Sequence, residues 1–319
     1  MTDPTPFSLH VPPHLDGLRL DQALAELLGI TRSQVKQRIA DLALDGRPAK
    51  PSQRVHAGAR IAGTLLPEAP PDLTPEPVPF TILYEDPHCL VIDKPQGLVV
   101  HPGAGNPTGT LVHGLLHYSH ELAARATSEE LDDEERMRIG IVHRLDKDTS
   151  GVLVVAKDPA THHFLAAQFK EKETKKLYLA VLKGTPPARE GDIEGHLARH
   201  PVHRKKFTLL STPDRGKYSH TRYRLLAAFG THSFVALYPT TGRTHQLRVH
   251  TAALGCPILG DPLYARPDTR FPDATLMLHA YLLTIRIPGR GLLTFRAPLP
   301  RRFKQILRAL ARASDGDPR

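Results

Sequence analysis

An α+β fold with a mixed, mainly antiparallel sheet is predicted for most of this 319-residue chain, preceded by a small unit of two helices and short strands. Three observations predict it. Beyond residue 80, strand-like apolar segments outnumber helical ones and often follow one another with no helix between, which argues against a doubly wound sheet. Ahead of residue 67, two helical periods are followed by an Asp45-Gly46 turn into short strands. Between the two regions, residues 67–79 (PEAPPDLTPEPVP) hold six prolines in 13 positions and read as an extended, semi-rigid spacer. The predicted organisation is a small domain over 15–66, a linker over 67–79, a larger domain over 80–300 and a C-terminal helix and tail over 301–319.

In the small unit, LRLDQALAELL places Leu20, Leu24, Leu27 and Leu28 on one helical face, with Gly29 as C-cap. Thr31 and Gln34 form a capping box for a second helix in which Val35, Ile39 and Leu42 face inward and Arg32, Lys36 and Arg38 point elsewhere. Short strands are expected around 47–49 and 60–65. In the larger unit the strand-like segments are 81–84, 90–93, 140–143, 151–157, 177–182, 221–226, 233–238 and 276–287. Helices are expected from the Asp158-Pro159 cap through Phe169, over 244–254 and over 300–313. The acidic stretch between Glu121 and Arg138 reads as a solvated loop or frayed helix without chemistry.

Lysine and arginine number 42 against 33 aspartates and glutamates, a net charge of +9 that favours a polyanionic partner. More than half of that excess lies between Ile30 and Leu66, where seven cations (residues 32, 36, 38, 47, 50, 54 and 60) face only Asp41 and Asp45. RNA contact through Arg32, Lys36, Arg38, Arg47 and Lys50 is the expectation for this unit. Two cysteines, Cys89 and Cys256, exclude a disulfide framework or a cysteine-based zinc site. The N-terminus lacks a basic patch followed by an apolar run, and a cytoplasmic location is expected.

The densest polar cluster is IVHRLDKDTSG (141–151), set between apolar segments so that Arg144, Asp146 and Asp148 must line a loop or cleft. Its Asp148-Thr149-Ser150-Gly151 looks like an aspartic-protease signature. That chemistry needs a second carboxylate from a second copy, and no second copy exists. HExxH and GxSxG are also absent, and His245 and His250, five apart, break helical registry as metal ligands. His143 and His279 read as satisfied core histidines.

The segment GIVHRLDKDTSGVLVVAK, with VIDKPQGLVVHPG, KKLYLAVLKG and TGRTHQLRVHTAALGCPILGDPLY following the same order, resembles the RluA-type pseudouridine synthases over residues 80–300. The cues RLDQALAELLGITRSQVKQRI and DGRPAKPSQRVHAGARI resemble the αL-type RNA-binding domain, the usual companion in members that act on large-subunit ribosomal RNA. The resemblance implies a pseudouridine synthase catalytic fold and isomerisation of uridine to pseudouridine in RNA, with no cofactor and no metal. It implies that Asp146 is the catalytic aspartate, as nucleophile or as base, and that Arg248 pairs with it through a bidentate guanidinium. It further implies that Tyr178 stacks on the flipped uracil and that Arg144, two residues before Asp146 and expected on the same sheet face, fills the vacated space. Lys94, Lys157 and Arg243 could meet phosphate or face solvent, and Gly97, Gly151, Gly242 and Gly260 are expected to permit tight turns near RNA. RHPVHRKK (199–206) and PRRFK (300–304) are expected to add basic surface. Two other readings stay open: a non-catalytic ribosome-assembly factor, which the joint presence of Asp146, Tyr178 and Arg248 disfavours, and the same chemistry on transfer RNA, which the N-terminal unit disfavours.

Overall fold

A computed structural model describes residues 3–67, 72–103, 105–127, 139–203, 205–213 and 216–315. The chain divides into two compact units, Met1–Pro70 and Pro71–Arg319. The first unit contains strand β1 (Thr5–His10), helices α1 (Leu20–Leu27) and α2 (Arg32–Arg38), and strands β2 (Ile39–Leu44), β3 (Arg47–Pro48) and β4 (Arg60–Leu65).

Among the described residues the four strands form one antiparallel sheet in the order β1-β4-β2-β3. Gly29 ends the α1 region at φ 66°, a conformation that suits glycine. The α2 capping box is made by Gln34 N–H donating to Thr31 Oγ1 at 3.2 Å and Thr31 N–H donating to Gln34 Oε1 at 2.8 Å. The second helix is shorter than its apolar spacing suggests. It stops at Arg38, and Ile39 and Leu42, expected on its inner face, lie instead in β2. Pairing with β4 satisfies the backbone there, and the side chains still pack on the same core as Leu20, Leu24 and Val35.

The second unit contains β5 (Thr81–Glu85), β6 (Cys89–Lys94), α3 (Leu111–Tyr118), α4 (His120–Ala126), β7 (Ser150–Ala156), α5 (Pro159–Lys170), β8 (Lys175–Lys183), β9 (Glu190–Arg199) and β10 (Phe207–Leu210). It continues with β11 (Lys217–Phe229), β12 (His232–Pro239), α6 (Gln246–Ala253), β13 (Leu278–Ile287), β14 (Gly291–Arg296) and α7 (Arg301–Asp315). Among the described residues ten strands form one sheet, ordered β10-β9-β11-β12-β8-β13-β7-β6-β5 with β14 added on β13. Only the β13–β7 pair within it is parallel, so the sheet is mixed and mainly antiparallel.

Alternation along β6 and β7 separates two cores. Leu90, Ile92, Leu153 and Val155 pack with α3, while Cys89, Val91, Val152 and Val154 face the opposite side with Leu165 of α5. Helix α7 buries Phe303 and Leu310 in a third cluster with β8 and β12, so it belongs to the core of this unit. Among the described residues no helix is long and apolar enough to cross a membrane.

Several elements differ from expectation. Residues 140–143 are not a strand: Ile141 makes a single bridge to Val155, and the chain then leaves the sheet edge. Residues 72–79 have no regular structure, yet they are fastened to α3 rather than spanning open solvent. His113 Nε2 lies 2.9 Å from the Asp72 carbonyl, Glu76 N–H donates to the His113 carbonyl at 3.2 Å, and a Cβ on Gly114 would stand 2.8 Å from Val78 Cβ. Of the acidic stretch, α4 takes the first part and 128–138 lies outside the described residues. Helix α3 and strands β1, β9, β10 and β14 had no sequence expectation.

Candidate active site

Asp146 is presented by a turn ahead of β7 in which Thr149 N–H donates to the Asp146 carbonyl at 3.1 Å. A buried lysine anchors that turn. Lys94, the last residue of β6 and 0 % exposed, donates to the carbonyls of Pro95 (2.9 Å), Leu98 (2.7 Å) and Lys147 (3.1 Å). Burial pulls its ammonium down to about 8, against the opposing pull of Asp148 and Asp146. Lys94 therefore meets neither phosphate nor solvent; it ties the Asp146 turn to the 94–98 loop, which Gly97 N–H also joins to the Lys147 carbonyl at 2.9 Å.

Arg248 extends from α6 and is buried. Its Nη1 donates to Asp146 Oδ2 at 3.5 Å, with the Asp146 side chain 25 % exposed. The bidentate edge is turned elsewhere than expected. Arg248 Nε donates to Asp261 Oδ2 at 2.7 Å and Nη2 to Asp261 Oδ1 at 2.8 Å, and the Asp261 side chain is fully buried. Asp261 Oδ1 also accepts the Leu263 and Tyr264 N–H groups at 2.8 and 3.1 Å. One edge of the guanidinium is locked by this dedicated carboxylate, and Nη1 on the other edge is left to meet Asp146. Burial opposes the Arg248 charge, but the Asp261 hydrogen bonds and charge outweigh it and hold the guanidinium's basicity above its ordinary value.

A histidine completes the Asp146 surroundings. His245, the N-cap of α6 at φ 56°, brings Nε2 to 4.0 Å from Asp146 Oδ2. Its Nδ1 lies 2.9 Å from the Tyr264 hydroxyl, which accepts the Phe207 N–H at 2.8 Å and so has its own proton to give to Nδ1. That arrangement fits the tautomer with the proton on Nε2, facing Asp146. Burial lowers the His245 basicity; Asp146 raises it, while Arg248 and Arg144 lower it further.

Tyr178 of β8 pairs with Ala280 of β13 and packs at the junction of the α3 core and the β8–β12 core. Burial, and after it the Asp146 charge, push its phenol above the ordinary tyrosine range, so it stays protonated. Such a ring can serve as a stacking platform and a donor, and is a poor base. Arg144 is exposed in the loop, outside any strand, so the expectation of a shared sheet face with Asp146 does not hold. It is brought near His245 instead.

The remaining expectations divide. Arg243 is exposed and donates from Nε to the Tyr218 carbonyl at 3.1 Å. Lys157 pairs with Glu85. In the first unit Lys36, Arg47 and Lys50 are exposed. Arg32 is engaged by the buried Asp21 at 2.7 Å, which Arg19 also grips at 3.1 Å, and these bonds, Arg19 first, hold the Asp21 carboxyl down at about 2. Arg38 Nε donates to the Leu66 carbonyl at 2.9 Å.

Two of the glycines serve the protein's own backbone. A Cβ on Gly151 would lie 2.1 Å from the Ala280 carbonyl oxygen, and one on Gly260 would lie 2.3 Å from that of Thr275. His143 accepts the Val154 N–H at 3.0 Å and stacks on Phe169, and burial takes it down to about 3. His279 lies 2.9 Å from Ser150 Oγ, and burial takes it down to about 4. Among the described residues no three His, Cys, Asp or Glu side chains group as a metal site.

Asp261, His245 and Tyr264 carried no site role in the sequence reading, and Lys94 was expected at phosphate or in solvent rather than as an anchor. A usable signal was present for Asp261: an acid inside the apolar run CPILGDPLY needs a cation, and the buried-looking Arg248 lies in the same motif.

Comparisons with known proteins identify the family. A profile of the RNA pseudouridylate synthase family matches residues 88–253, which include Asp146, Tyr178 and Arg248. A ribosomal large subunit pseudouridine synthase D of Borreliella burgdorferi is 46 % identical over 231 residues, covering 72 % of this chain and 68 % of that protein. The protein of the same name from Nitrosomonas europaea is 39 % identical over 95 % of this chain and 88 % of its own. The solved structure of human RNA pseudouridylate synthase domain containing 4 superposes with a TM-score of 0.58 at 27 % identity, covering 72 % of this chain and 93 % of that one. The chain belongs to the RNA pseudouridylate synthase family, the enzymes that isomerise uridine within RNA.

Proposed function

We propose that Asp146 is the catalytic residue of this synthase, that it acts without a cofactor, and that its substrate is large-subunit ribosomal RNA. The observation that carries the reading is the division of Arg248 between two carboxylates. Asp261 takes the guanidinium's bidentate edge inside the protein, and Asp146, one quarter exposed, is left reaching into the open side. A partly open carboxylate facing a fixed cation is oriented where a substrate can approach it.

The reaction breaks the N1–C1′ bond, turns the uracil and forms a C5–C1′ bond; one proton leaves C5 and one is taken up at N1. An ionised Asp146 serves either opening step, attack at C1′ or removal of the 2′ proton. Tyr178 supplies the stacking face that holds the uracil while it turns, worth roughly 1–3 kcal/mol. The Nε2–H of His245 is positioned to orient the same carboxylate. Arg144, exposed beside the site, is placed to fill the gap left by the extruded nucleotide.

The first unit is read as an RNA-binding module of the αL type, with exposed Lys36, Arg47 and Lys50 as its contacts and Arg243 as a contact from the second unit. Two relatives named as ribosomal large subunit synthases support the substrate assignment. The test is pseudouridine mapping in unmodified large-subunit and transfer RNA transcripts treated with the wild type and Asp146→Asn. New pseudouridine at large-subunit positions with the wild type alone is expected. Modification confined to transfer RNA would overturn the substrate, and modification by the variant would overturn the role of Asp146.

A further inference from the structure

We infer that the catalytic unit carries a second RNA-contact surface: the basic face of helix α7, on the side of the sheet away from Asp146, together with the cleft at its start, which lies at the end of the sheet. The inference rests on the proposal that the substrate is a large RNA. Sheet alternation sets the two sides. Tyr178 and Ala280 share the face that packs on α3, beside Leu145 of the Asp146 loop. Asp93 and Ser150 alternate with that set and point to the other face, as does His279, whose ring lies 6.0 Å from that of Phe303 in α7.

Along α7, Arg301, Lys304, Arg308 and Arg312 are exposed, and at about 100° per residue they fall within an arc of roughly 80°. Phe303 and Leu310 lie on the opposite arc and are buried. The four cations span about 16 Å of helix axis. Among the described residues, no acidic side chain forms an ion pair with any of them. Lys304 with Arg308, and Arg308 with Arg312, are like-charge pairs one turn apart, and Arg301 and Lys304 sit at the positive end of the helix dipole. Each of these placements is unfavourable in the free protein. A run of phosphates along the stripe reverses the sign of every one.

The cleft adds a second observation. It has a volume of about 600 Å³ and is lined by Phe80, Asp93, Leu299, Arg301, Arg302 and Lys304 among others. Arg302 Nη2 donates to Ser150 Oγ at 2.6 Å, while its buried Nε has no hydrogen-bond partner. A buried guanidinium N–H without an acceptor, in a cleft that opens at the head of a cationic stripe, suits an RNA strand whose backbone continues along α7.

The test is RNA binding as a function of salt, with a ribosomal RNA transcript of several hundred nucleotides and with a stem-loop too short to reach both faces of the sheet. The variant combines Arg301→Gln, Lys304→Gln, Arg308→Gln and Arg312→Gln in the full chain. At roughly 0.7–0.9 per phosphate contact, its slope of log affinity against log salt should fall by about 3 on the long transcript. Raising salt from 50 to 200 mM then costs it roughly sixty-fold less affinity than it costs the wild type. The slope on the stem-loop should stay the same. A charge-keeping variant, with Arg301, Arg308 and Arg312 each changed to Lys, should retain the wild-type slope, which a structural role for the guanidiniums would not allow. An unchanged slope on the long transcript, or an equal fall on the stem-loop, would overturn the inference. Because binding is the read-out, an absence of pseudouridine in the transcript counts against the substrate proposal and leaves this comparison standing.

Discussion

Replacing Asp261 by asparagine tests how the active-site cation is held. Asp261 is fully buried, and Arg248 has a side chain only 6 % exposed. In the variant, a carbonyl at the Oδ1 position can still accept from Arg248 Nη2, Leu263 N–H and Tyr264 N–H. The amide nitrogen then stands where Oδ2 accepts from Arg248 Nε at 2.7 Å, so donor meets donor and the charge partner is lost. Breaking a buried pair from one side typically loses about 3–5 kcal/mol. Asp146, 3.5 Å away and partly exposed, offsets some of this, so the lower end, about 3 kcal/mol, is expected. For a unit of this size that is a fall of roughly 6–12 °C in Tm.

Urea unfolding and thermal melting at pH 7 measure it, beside Arg248→Met and the double variant. The double variant should lose less than the sum of the singles, because it leaves no unpaired buried charge. Turnover of Asp261→Asn should fall further than its stability explains, since Arg248 is freed to close on Asp146. A loss below about 1 kcal/mol, or strict additivity in the cycle, would refute the account of Arg248 as a buried cation held by Asp261.

Three further outcomes follow from the same geometry. His143, His250 and His279 are pulled by burial to about 3, about 4 and about 4, below the unfolded value near 6.5, so the stability they contribute is complete above pH 6.5 and is lost as pH falls toward 4. Urea midpoints between pH 7 and 5 should drop with a slope of up to about 1.4 kcal/mol per pH unit for each, and a flat profile would contradict their burial as neutral rings. Lys94→Met leaves the Pro95 and Leu98 carbonyls without their lysine donor, at about 1–3 kcal/mol each, and unlocks the Asp146 turn; unfolding should show a loss of about 2–6 kcal/mol, and a neutral change would show that water replaces the ammonium. Tyr178→Ala should weaken RNA binding by roughly 5- to 150-fold while Tyr178→Phe changes it little, and equal losses would point to the hydroxyl rather than the ring.

Local chemistry was the most legible part of the sequence. The Thr31–Gln34 box and the Asp158 cap, where Thr161 N–H meets Asp158 Oδ1 at 2.8 Å, depend on residues within one turn of each other. The strands that failed or were missed depend on distant partners. Residues 140–143 have a strand-like pattern but no neighbour beyond the Ile141–Val155 bridge. Strand β9 (EGDIEGHLAR) carries two glycines and four charged residues in its ten, and only its pairing with β10 and β11 makes it a strand. Helix α3 contains Gly114, whose bare Cα is required by the close approach of Val78.

The site divides in the same way. The motif placed Asp146, Tyr178 and Arg248 together, while the partnership of Arg248 with Asp261 is a matter of distance and burial that spacing does not encode. The turn from acid to cation spans 102 residues for Asp146 and 13 for Asp261, and only packing decides which carboxylate receives the bidentate edge.

The claim that Asp146 carries the chemistry is tested most directly by a single-turnover experiment on large-subunit RNA transcribed with uridine tritiated at C5. Forming the C5–C1′ bond and restoring the ring releases that tritium to water. The wild type should release it, and Asp146→Asn, with RNA affinity retained, should release it slower by on the order of a thousandfold or more. Release by the variant within about tenfold of the wild type would contradict the account.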